Sequence, residues 1–465
     1  MNSAAYGLYK LLPPPARSLA ASLRGHYLNR WRYGSETASL VEASLDRELW
    51  SERDWEEWRA ERLKYVLHRA ATRVPFYRRV WAKRRENGDR SSWEILANWD
   101  VLEKEAVRAD PIDFVADDCN PSRMFHDHTS GTTGTSLSLY MTKETVRQWY
   151  ALFEARARHW YGVSRHDKWA ILGGQLVTPV HQTKPPFWVW NSGLNQLYLS
   201  SYHLSAQNTS TYIDALERYG VRYLLGYPSS IYTLASDAIR LGRKISGLKV
   251  VILNAEPVYE FQRETIGMAF NCPVRETYGM AEIVAAAGEC EYERLHQWPE
   301  AGIIETSGDT DTSDFICTGL LNADMPLVRY RVGDSGKLST TKCKCGRNLP
   351  VVDRIAGRTD DILLTRDGRS VGRMDPVFKG GLPIKEAQIV QETLSNITVN
   401  YVPAADFEDS ALADLRKRIQ ERLGEVDVAF TRMSMIPRTS RGKFRAVISK
   451  VNLPSKDGEA IDGQG

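Results

Sequence analysis

The chain has 465 residues, and its 61 basic against 58 acidic residues give a formal net charge of +3. Because nucleic-acid-binding proteins usually show a clear basic excess, this near balance argues against a nucleic-acid partner. A hydrophobic fraction of 42% is typical of a globular protein, and a chain this long predicts a large domain with at least one smaller one. The sequence contains no run of the roughly 20 apolar residues that a membrane span needs.

The N-terminal segment, residues 1–35, is interpreted as a basic amphipathic arm. Residues 1–34 contain five basic residues and no acidic one. Prolines at 13 to 15 interrupt its apolar stretch before a signal-peptide core could form. Two interpretations stay open: an amphipathic arm on the protein surface, which the sequence favours, or a peripheral contact with a membrane or a biosynthetic complex. The apolar residues of the arm are Tyr6, Leu8, Leu11, Leu12, Trp31 and Tyr33.

Residues 36–87 predict helices, because apolar residues recur there at intervals of three and four, with an interruption at Pro75. Between residues 140 and 330, helical stretches alternate with short β-rich runs, which indicates a parallel or mixed sheet covered on both faces. After about residue 300, short strands separated by turn residues are typical of an antiparallel or barrel-like subdomain. The β-rich runs lie at 168–174, 223–228, 248–256 and 274–279.

A second pattern begins at residue 357. There the sequence predicts a hairpin at 362–371, a helix at 411–426 and a strand at 428–437. We therefore expect an α/β protein with a large N-terminal domain of several subdomains, residues 1–356, whose sheets are covered by helices. A small C-terminal α/β domain would follow over residues 357–452, and the polar residues 453–465 predict a disordered tail.

The most informative segment for function is HTSGTTGTSLSLYMT, residues 128–142. Glycine lets a backbone approach a polyphosphate closely, while N–H groups and hydroxyls donate hydrogen bonds to its oxygens. The segment lacks the Gly-Lys-Ser/Thr ending of the P-loop, which disfavours a kinase or GTPase. On its own, an ordinary surface turn explains the segment about as well. The candidate phosphate-binding residues are Ser130, Gly131, Thr132, Thr133 and Gly134.

Five further motifs follow in a fixed order, and with them the chain resembles the acyl-adenylate-forming superfamily. Within that superfamily it is most similar to the phenylacetate–CoA ligase family, in the CapK-type branch found with capsule and exopolysaccharide biosynthesis. The resemblance covers about residues 40–450. It implies a small C-terminal domain that rotates between half-reactions about a hinge at Asp360 and Asp361. The motifs are Asn254–Pro257, Tyr278–Glu282, Arg329–Asp334, Gly357–Asp361 and Gly442-Lys443.

The resemblance implies ATP and Mg²⁺ as cofactors. Acyl-adenylate formation requires a carboxylate to attack the α-phosphate of ATP, so the protein must position two anions and neutralise developing charge. Glu282 would hold Mg²⁺, which prefers carboxylate oxygen, and Lys443 would reach the α-phosphate. Arg358 would lie near the ribose and phosphates. The remaining nucleotide contacts implied by the resemblance are Ala255, Glu256, Pro257, Tyr278 and Gly279 around adenine and Asp334 on the ribose hydroxyls.

The phosphate loop departs from its relatives at one point. Related loops often carry lysine after the second glycine, where this chain has Thr135 and Ser136. The loop therefore has one positive charge fewer for pyrophosphate. This difference is consistent with weaker ATP binding. It is also consistent with a protein that has kept the fold while its reaction has changed.

Cys343 and Cys345 form a short knuckle, and Cys290 and His296 lie upstream. Together they could complete a tetrahedral Cys₃His zinc site, and four protein ligands would make it structural. Related chains often have a comparable set; the alternative is free buried cysteines with a surface histidine. Six cysteines in a chain of this length do not make a disulfide scaffold, which favours a reduced, cytoplasmic setting.

Two segments predict the walls of an acid-binding pocket: 173–174 with 185–205, and 226–230. Polar groups there could orient a substrate and aromatic rings could bound it. The same aromatic residues fit equally well into a core between sheet and helices. The candidate substrate residues are Gly174, Ser201, His203, Tyr227 and Pro228.

The sequence thus predicts ATP-dependent activation of a carboxylic acid as acyl-AMP, with release of pyrophosphate. Transfer to a thiol, such as CoA, or to an amine would follow, in surface polysaccharide biosynthesis. Two alternatives stay open. One is a non-catalytic nucleotide-binding member of a polysaccharide biosynthesis assembly, and the other is AMP transfer to a substrate that is not a carboxylate.

Overall fold

The structure is a computed structural model, and its described residues fall into two units. The described residues between 8 and 355 belong to the first unit, and those between 363 and 451 belong to the second. None of the described helices is long and apolar enough to cross a membrane. The described residues are 8–129, 137–179, 181–256, 258, 260–306, 313–355, 363–367, 370–371, 374–378, 382–404, 407–437 and 447–451.

Helices dominate the N-terminal part of the first unit, as the sequence predicts for residues 36–87. The longest of these helices begins at a capping box, in which Ser51 and Asp54 each accept a backbone N–H of the other. It ends before Pro75, which occupies the first turn of the next helix. The helices are α1 (Pro14–Arg32), α2 (Thr37–Asp46), α3 (Glu52–Arg73), α4 (Pro75–Glu86) and α5 (Lys104–Ala109).

The described strands of the first unit form a small hairpin and one sheet of twelve strands. The hairpin pairs β1 (Phe125–His128) with β2 (Ser138–Met141). In the large sheet the order is β11-β12-β13-β14-β10-β9-β8-β7-β6-β3-β5-β4. The strands are β3 (Trp169–Gly173), β4 (Trp188–Asn191), β5 (Gln196–Ser200), β6 (Tyr223–Gly226), β7 (Val250–Asn254), β8 (Val274–Gly279), β9 (Ala286–Glu289), β10 (Leu295–Gln297), β11 (Gly302–Thr306), β12 (Ser313–Gly319), β13 (Tyr330–Leu338) and β14 (Val351–Ile355).

The centre of this sheet is parallel, with β5, β3, β6, β7 and β8 side by side. Its strands are apolar on both faces, because helices cover both faces. On one side Leu172 and Val251 pack among residues of α7 (Thr209–Tyr219), α8 (Pro228–Arg240) and α9 (Glu260–Phe270). On the other side Tyr223 and Ile252 belong to a cluster that Phe153 of α6 (Lys143–Ala157) packs against.

The strands after residue 300 are antiparallel, as the sequence predicts. They are not a separate barrel, however. They continue the parallel sheet through β9 and β10, because β10 pairs with β14 on one side and with β9 on the other. Sequence pattern could not reveal this continuity, since ladder pairing between β10 and β14 joins residues more than fifty positions apart.

The second unit has a four-stranded sheet with the order β19-β18-β17-β20 among its described residues. The predicted hairpin and helix are confirmed, and the predicted strand is shorter than expected. Leu415 and Ile419 of the helix pack into a core with Val399 of the sheet. The elements are β15 (Leu363–Leu364), β16 (Ser370–Val371), β17 (Ile384–Gln391), β18 (Asn396–Pro403), α10 (Ser410–Leu423), β19 (Asp427–Arg432) and β20 (Val447–Ser449).

Candidate functional site

Four neighbouring parallel strands carry predicted site residues at their carboxyl ends. Gly174 follows β3, Tyr227 follows β6, Ala255 and Glu256 follow β7, and Tyr278 lies at the end of β8. The ladder register brings these ends to one edge, since Gly226 pairs with Leu172 and Leu253, and Asn254 pairs with Thr277. In open α/β sheets, the crevice beyond the carboxyl ends of the strands is where ligands bind.

The segment after β7 is tied to the start of α8. The carboxylate of Glu256 accepts a hydrogen bond from the N–H of Ser229, with an N···O distance of 3.0 Å. This N–H is one of those that a helix leaves unpaired at its N-terminus, where a negative charge is also stabilised by the helix dipole. Ala255 has a φ of 70°, a left-handed conformation that a residue other than glycine adopts at a cost of about 1–3 kcal/mol. Backbone strain therefore lies in the predicted adenine segment.

Two buried polar atoms at these strand ends have no hydrogen-bond partner among the described residues. They are Oδ1 of Asn254, at the end of β7, and Oγ of Ser229, in the first turn of α8. Ser229 is only 3% exposed. A buried polar group without a partner costs roughly 1–3 kcal/mol, so both atoms are suited to a polar ligand in the crevice.

Tyr278 and Asp334 contact each other directly. The phenol of Tyr278 donates a hydrogen bond of 2.9 Å to Oδ2 of Asp334 on β13. A tyrosine ring and a carboxylate at this spacing present an aromatic face and hydrogen-bond acceptors on one surface, as a nucleoside requires. The two predicted adenine and ribose residues are thus brought together, although 56 positions separate them in the chain.

Glu282, the predicted Mg²⁺ residue, lies in a buried polar cluster that the sequence did not indicate. Its Oε1 is 2.9 Å from Nζ of Lys104 and accepts a 3.0 Å hydrogen bond from the phenol of Tyr330. The side chain of Glu282 is 5% exposed and that of Lys104 is 19% exposed. Lys104 was missed because it belongs to a short helix with no motif around it. A carboxylate held this way can bind a cation from a fixed position.

The candidate acid-pocket residues surround the end of β3. The hydroxyl of Ser201 donates to the carbonyl oxygen of Gly173 at 3.0 Å. The phenol of Tyr202 donates to the carbonyl oxygen of Gly174, and a Cβ at Gly174 would lie 3.3 Å from the Tyr227 phenol oxygen. Aromatic hydroxyls therefore line the backbone at this point. Pro228, buried in the first turn of α8, supports this wall.

His203 is positioned by contacts within the protein. Its Nδ1 is 2.8 Å from Oγ of Ser200, and its Nε2 is 3.1 Å from the carbonyl oxygen of Pro179. The ring also stacks on Phe187, with centroids 4.7 Å apart, and the residue is 7% exposed. Because both ring nitrogens are engaged, His203 in this structure anchors the pocket segment. Its predicted contact with substrate stays a prediction.

The predicted phosphate loop lies outside the described residues, but both of its ends are described. The N–H of Thr129 donates to the carbonyl oxygen of Leu137, and the N–H of Leu137 donates to Oγ1 of Thr129. These bonds close the loop on the hairpin formed by β1 and β2. The other predicted site residues outside the described residues are Pro257, Arg358, Asp360, Asp361 and Lys443, with Ser130, Gly131, Thr132, Thr133 and Gly134 in the loop itself.

Burial and charge raise the pKa of one carboxyl on β8. Burial, together with the nearby Glu289 carboxylate, raises the pKa of Glu276 from its ordinary 4.5 to about 7, against the opposing charge of Arg263. Because the folded state holds this proton more tightly, its contribution to stability is present below pH 4.5 and is lost as pH rises through about 7. Glu276 is two residues from Tyr278. The charge of the Glu276 carboxyl, close to the end of the strand, therefore changes as pH passes through about 7.

Cys290, His296, Cys343 and Cys345 come together in space, with ligand atoms that all lie within 4.8 Å of one another. The Cys290 and Cys343 sulfurs are 3.6 Å apart, and the Cys345 sulfur is 3.4 Å from Nε2 of His296. A tetrahedron with Zn–S bonds of about 2.3 Å has S–S edges of about 3.8 Å. The predicted ligands therefore have a spacing that fits one zinc ion.

The surroundings of this cluster also suit a metal. Nδ1 of His296 is 3.3 Å from the carbonyl oxygen of Leu349, an interaction that directs Nε2 toward the sulfurs. The N–H of Tyr292 lies 3.4 Å from the sulfur of Cys290, where it can stabilise a thiolate. Gly346, with a φ of 81°, makes the turn after Cys345.

Comparison with known proteins finds related sequences along most of the chain. A family model described as the CapK C-terminal domain matches residues 363–450. Protein CapK of Staphylococcus aureus is 25% identical over 459 residues, which cover 96% of this chain and 99% of that protein. Phenylacetate-coenzyme A ligase of Escherichia coli (strain K12) is 25% identical over 331 residues, covering 66% of this chain and 71% of that enzyme.

A solved structure shows the same fold. It is 2-hydroxyisobutyryl-CoA ligase in complex with 2-HIB-AMP and CoA, with a TM-score of 0.55 and 20% identity. The match covers 87% of this chain and 91% of that one. The chain is therefore similar to Protein CapK along nearly its whole length and to phenylacetate-coenzyme A ligase over about two thirds of it, and it has the fold of a CoA ligase.

Proposed function

We propose that this protein is an AMP-forming acid ligase, which activates a carboxylic acid as acyl-AMP and releases pyrophosphate. The observation that carries the proposal is the convergence of four motif segments at the carboxyl ends of β3, β6, β7 and β8. Tyr278 and Asp334 would hold the adenosine, and the wall near Gly174 and Tyr227 would hold the acid. The names of the phenylacetate-coenzyme A ligases among its relatives support this activity.

Glu282 has the chemistry to hold Mg²⁺, because it is a buried carboxylate in a fixed position. When bound, Mg²⁺ would neutralise phosphate charge. The role of the protein's own side chains is then to align the acid carboxylate with the nucleotide and to exclude water. Arg358 and Lys443 are proposed to contact the phosphates on the strength of the family resemblance. On the same grounds, a small domain that begins at residue 357 is proposed to rotate about a hinge at Asp360 and Asp361.

For the second half-reaction we propose a thiol or amine acceptor. The relatives named as phenylacetate-coenzyme A ligases favour CoA. The motif resemblance to the branch found with capsule and exopolysaccharide biosynthesis favours an acceptor in surface polysaccharide assembly. A reduced, cytoplasmic location fits the six cysteines, none of which forms a disulfide.

Two observations favour a second candidate, a non-catalytic nucleotide-binding protein. The carboxylate of Glu282 is paired with Lys104 at 2.9 Å, and the phosphate loop has Thr135 where related loops carry lysine. If Glu282 keeps its ammonium partner it would not hold Mg²⁺, and a nucleotide could then bind without that ion to neutralise its phosphates.

ATP–pyrophosphate exchange over a panel of carboxylic acids tests the proposal. We expect Mg²⁺-dependent exchange with at least one acid, and a product whose mass corresponds to acyl-AMP. Tight ATP binding without exchange for any acid would establish the non-catalytic alternative instead. An AMP adduct of a substrate that lacks a carboxylate would point to AMP transfer of a different kind.

We also propose that Cys290, His296, Cys343 and Cys345 bind a structural zinc ion. Replacing both Cys343 and Cys345 with serine should reduce zinc content from about one equivalent to near zero and lower the free energy of unfolding by about 3 kcal/mol or more, because the ion links strands distant in sequence. Elemental analysis and thermal unfolding measure the two effects. Cys272→Ser, which alters a half-buried cysteine outside the cluster, is the matched control. Full zinc content in the double variant would contradict the assignment.

A further inference from the structure

Helix α1 packs against β4 with the side that carries Ser18, Ser22 and Gly25, and not with Leu19 or Leu23. The hydroxyls of Ser18 and Ser22 accept hydrogen bonds from the N–H groups of Trp190 and Ser192 beside the edge strand β4. A Cβ at Gly25 would meet the side chain of Asn191 at 1.8 Å, so only glycine allows this close approach. These contacts hold one side of the helix against the edge of the sheet.

The opposite face of α1 carries large apolar side chains that are exposed. Leu19, Leu23 and Tyr27 recur at every fourth residue and are 62%, 64% and 53% exposed. Residues with this spacing lie above one another on one side of a helix. Leu8 and Leu11, just before the helix, are 66% and 82% exposed. The side of α1 formed by Leu19, Leu23 and Tyr27 is named the leucine face.

Two stretches of sequence at the leucine face contain basic residues and no acidic ones. Arg24, His26 and Arg30 of α1 are exposed, and residues 1–34 contain no acidic residue. The stretch 168–213, which includes the edge strand under the helix, also contains no Asp or Glu. Within that stretch the loop at 181–184, joined to α1 by the hydrogen bond from Arg17 to Gln182, exposes Lys184.

We propose that the leucine face binds the surface of an anionic lipid bilayer. An interfacial helix needs an apolar face that enters the headgroup region and basic groups that attract anionic lipid, and α1 has both. Basic residues near such a surface are attracted to its anionic lipids. A protein partner could also cover apolar side chains, but the absence of acidic residues over two separate stretches favours a surface with uniform negative charge.

This docking would bring the candidate acid pocket near lipid. The arm is tied to the segment that follows Gly174, because the phenol of Tyr9 donates to the carbonyl oxygen of Val177 at 2.9 Å and Arg17 donates to Gln182 at 2.7 Å. The proposal rests on the exposed residues of α1 and does not require the acid ligase activity. It extends that activity by placing it beside a membrane.

Co-sedimentation of the full-length protein with vesicles tests this proposal. We expect binding to vesicles of phosphatidylcholine with phosphatidylglycerol, and much weaker binding to phosphatidylcholine alone or at high salt. Leu19→Gln with Leu23→Gln should reduce the partition coefficient by about tenfold or more, since each leucine side chain loses its burial in the bilayer. Arg24→Gln with Arg30→Gln should remove most of the preference for the anionic vesicles.

Met268→Gln is the matched control, because Met268 is an apolar side chain of α9 with 73% exposure. It should bind vesicles as the unmodified protein does. Circular dichroism and ATP–pyrophosphate exchange in solution should be unchanged in the double leucine variant, so a loss of vesicle binding would not reflect a loss of folding or of the ligase site. Absence of binding to the anionic vesicles, or undiminished binding by the double leucine variant, would overturn the proposal. A dimer that the double leucine variant converts to monomers would overturn it in favour of a contact between copies of the chain.

Discussion

Replacing Glu282 with glutamine is expected to slow ATP–pyrophosphate exchange by about 10²-fold or more, the size of effect seen when one preorganised charged or polar group is lost from a reaction site. Glutamine keeps the shape of the side chain but removes the negative charge that would hold Mg²⁺. It also leaves the ammonium of Lys104, 2.9 Å away, without its carboxylate. The rate at saturating acid and ATP, measured over a range of Mg²⁺ concentrations, is the quantity to compare.

The matched control for this variant is Glu264→Gln, which removes an exposed carboxylate of α9. It should exchange at the unmodified rate. Thermal unfolding of Glu282→Gln separates a loss of catalysis from a loss of folding, because Glu282 is buried beside Tyr330. A folded Glu282→Gln protein that retains full exchange at low Mg²⁺ would exclude Glu282 as the metal-binding residue.

Arg156→Met is expected to lower the free energy of unfolding by about 3–5 kcal/mol, because removing one partner leaves buried charges uncompensated. Arg156 is completely buried and donates to both carboxylate oxygens of Glu300, at 2.6 and 2.8 Å. It also contacts Glu48, at 3.3 Å. Burial alone would raise the pKa of Glu300, but Arg156 and Arg47 hold that pKa below its ordinary value. Denaturant unfolding of the two proteins measures the difference.

Arg53→Met provides the comparison, since Arg53 pairs with Glu57 on α3 while both side chains are largely exposed. Such surface pairs contribute roughly 0–1 kcal/mol, so this variant should be close to the unmodified protein. An Arg156→Met protein as stable as Arg53→Met would show that the buried pairs contribute no net stability.

The Arg156 cluster also connects the zinc-ligand region to the N-terminal helices. Arg347, two residues after Cys345, is 3.1 Å from Glu48, and the N–H of Asn348 donates to the carbonyl oxygen of Glu48. Trp160 donates to the same Glu48 carboxylate. A metal ion in the cysteine cluster would therefore stabilise a part of the fold that extends well beyond its four ligands.

Local sequence was sufficient for features that depend on neighbours in the chain. The capping box at Ser51 and Asp54 and the interruption at Pro75 define helix ends by themselves. Alternation of helix and strand predicts the parallel centre of the sheet, because a parallel crossover needs an intervening element. The ordered motifs indicated the resemblance to acyl-adenylate-forming enzymes, and residue type with partial spacing indicated the four Cys/His residues that the fold brings together.

Contacts across long stretches of chain were decided only by the tertiary structure. The pairing of β10 with β14 joins the late antiparallel strands to the parallel sheet, and no local pattern encodes such a pairing. Lys104 reaches Glu282 across nearly two hundred residues, so the charge beside the predicted metal site was not visible in the motif. Likewise, both ring nitrogens of His203 have hydrogen-bond partners, on Ser200 and Pro179, because the fold places those residues next to the ring.

The N-terminal arm shows both kinds of information at once. Its composition alone predicts an amphipathic basic segment, and the structure decides which side faces outward. Hydrogen bonds from β4 to Ser18 and the close approach at Gly25 select the small face for packing. The leucines are left exposed because a helix can present only one side to the sheet edge. The sequence thus determined which polar, charged and apolar side chains each segment carries. Tertiary packing determined which of those side chains contact one another and which remain exposed to solvent.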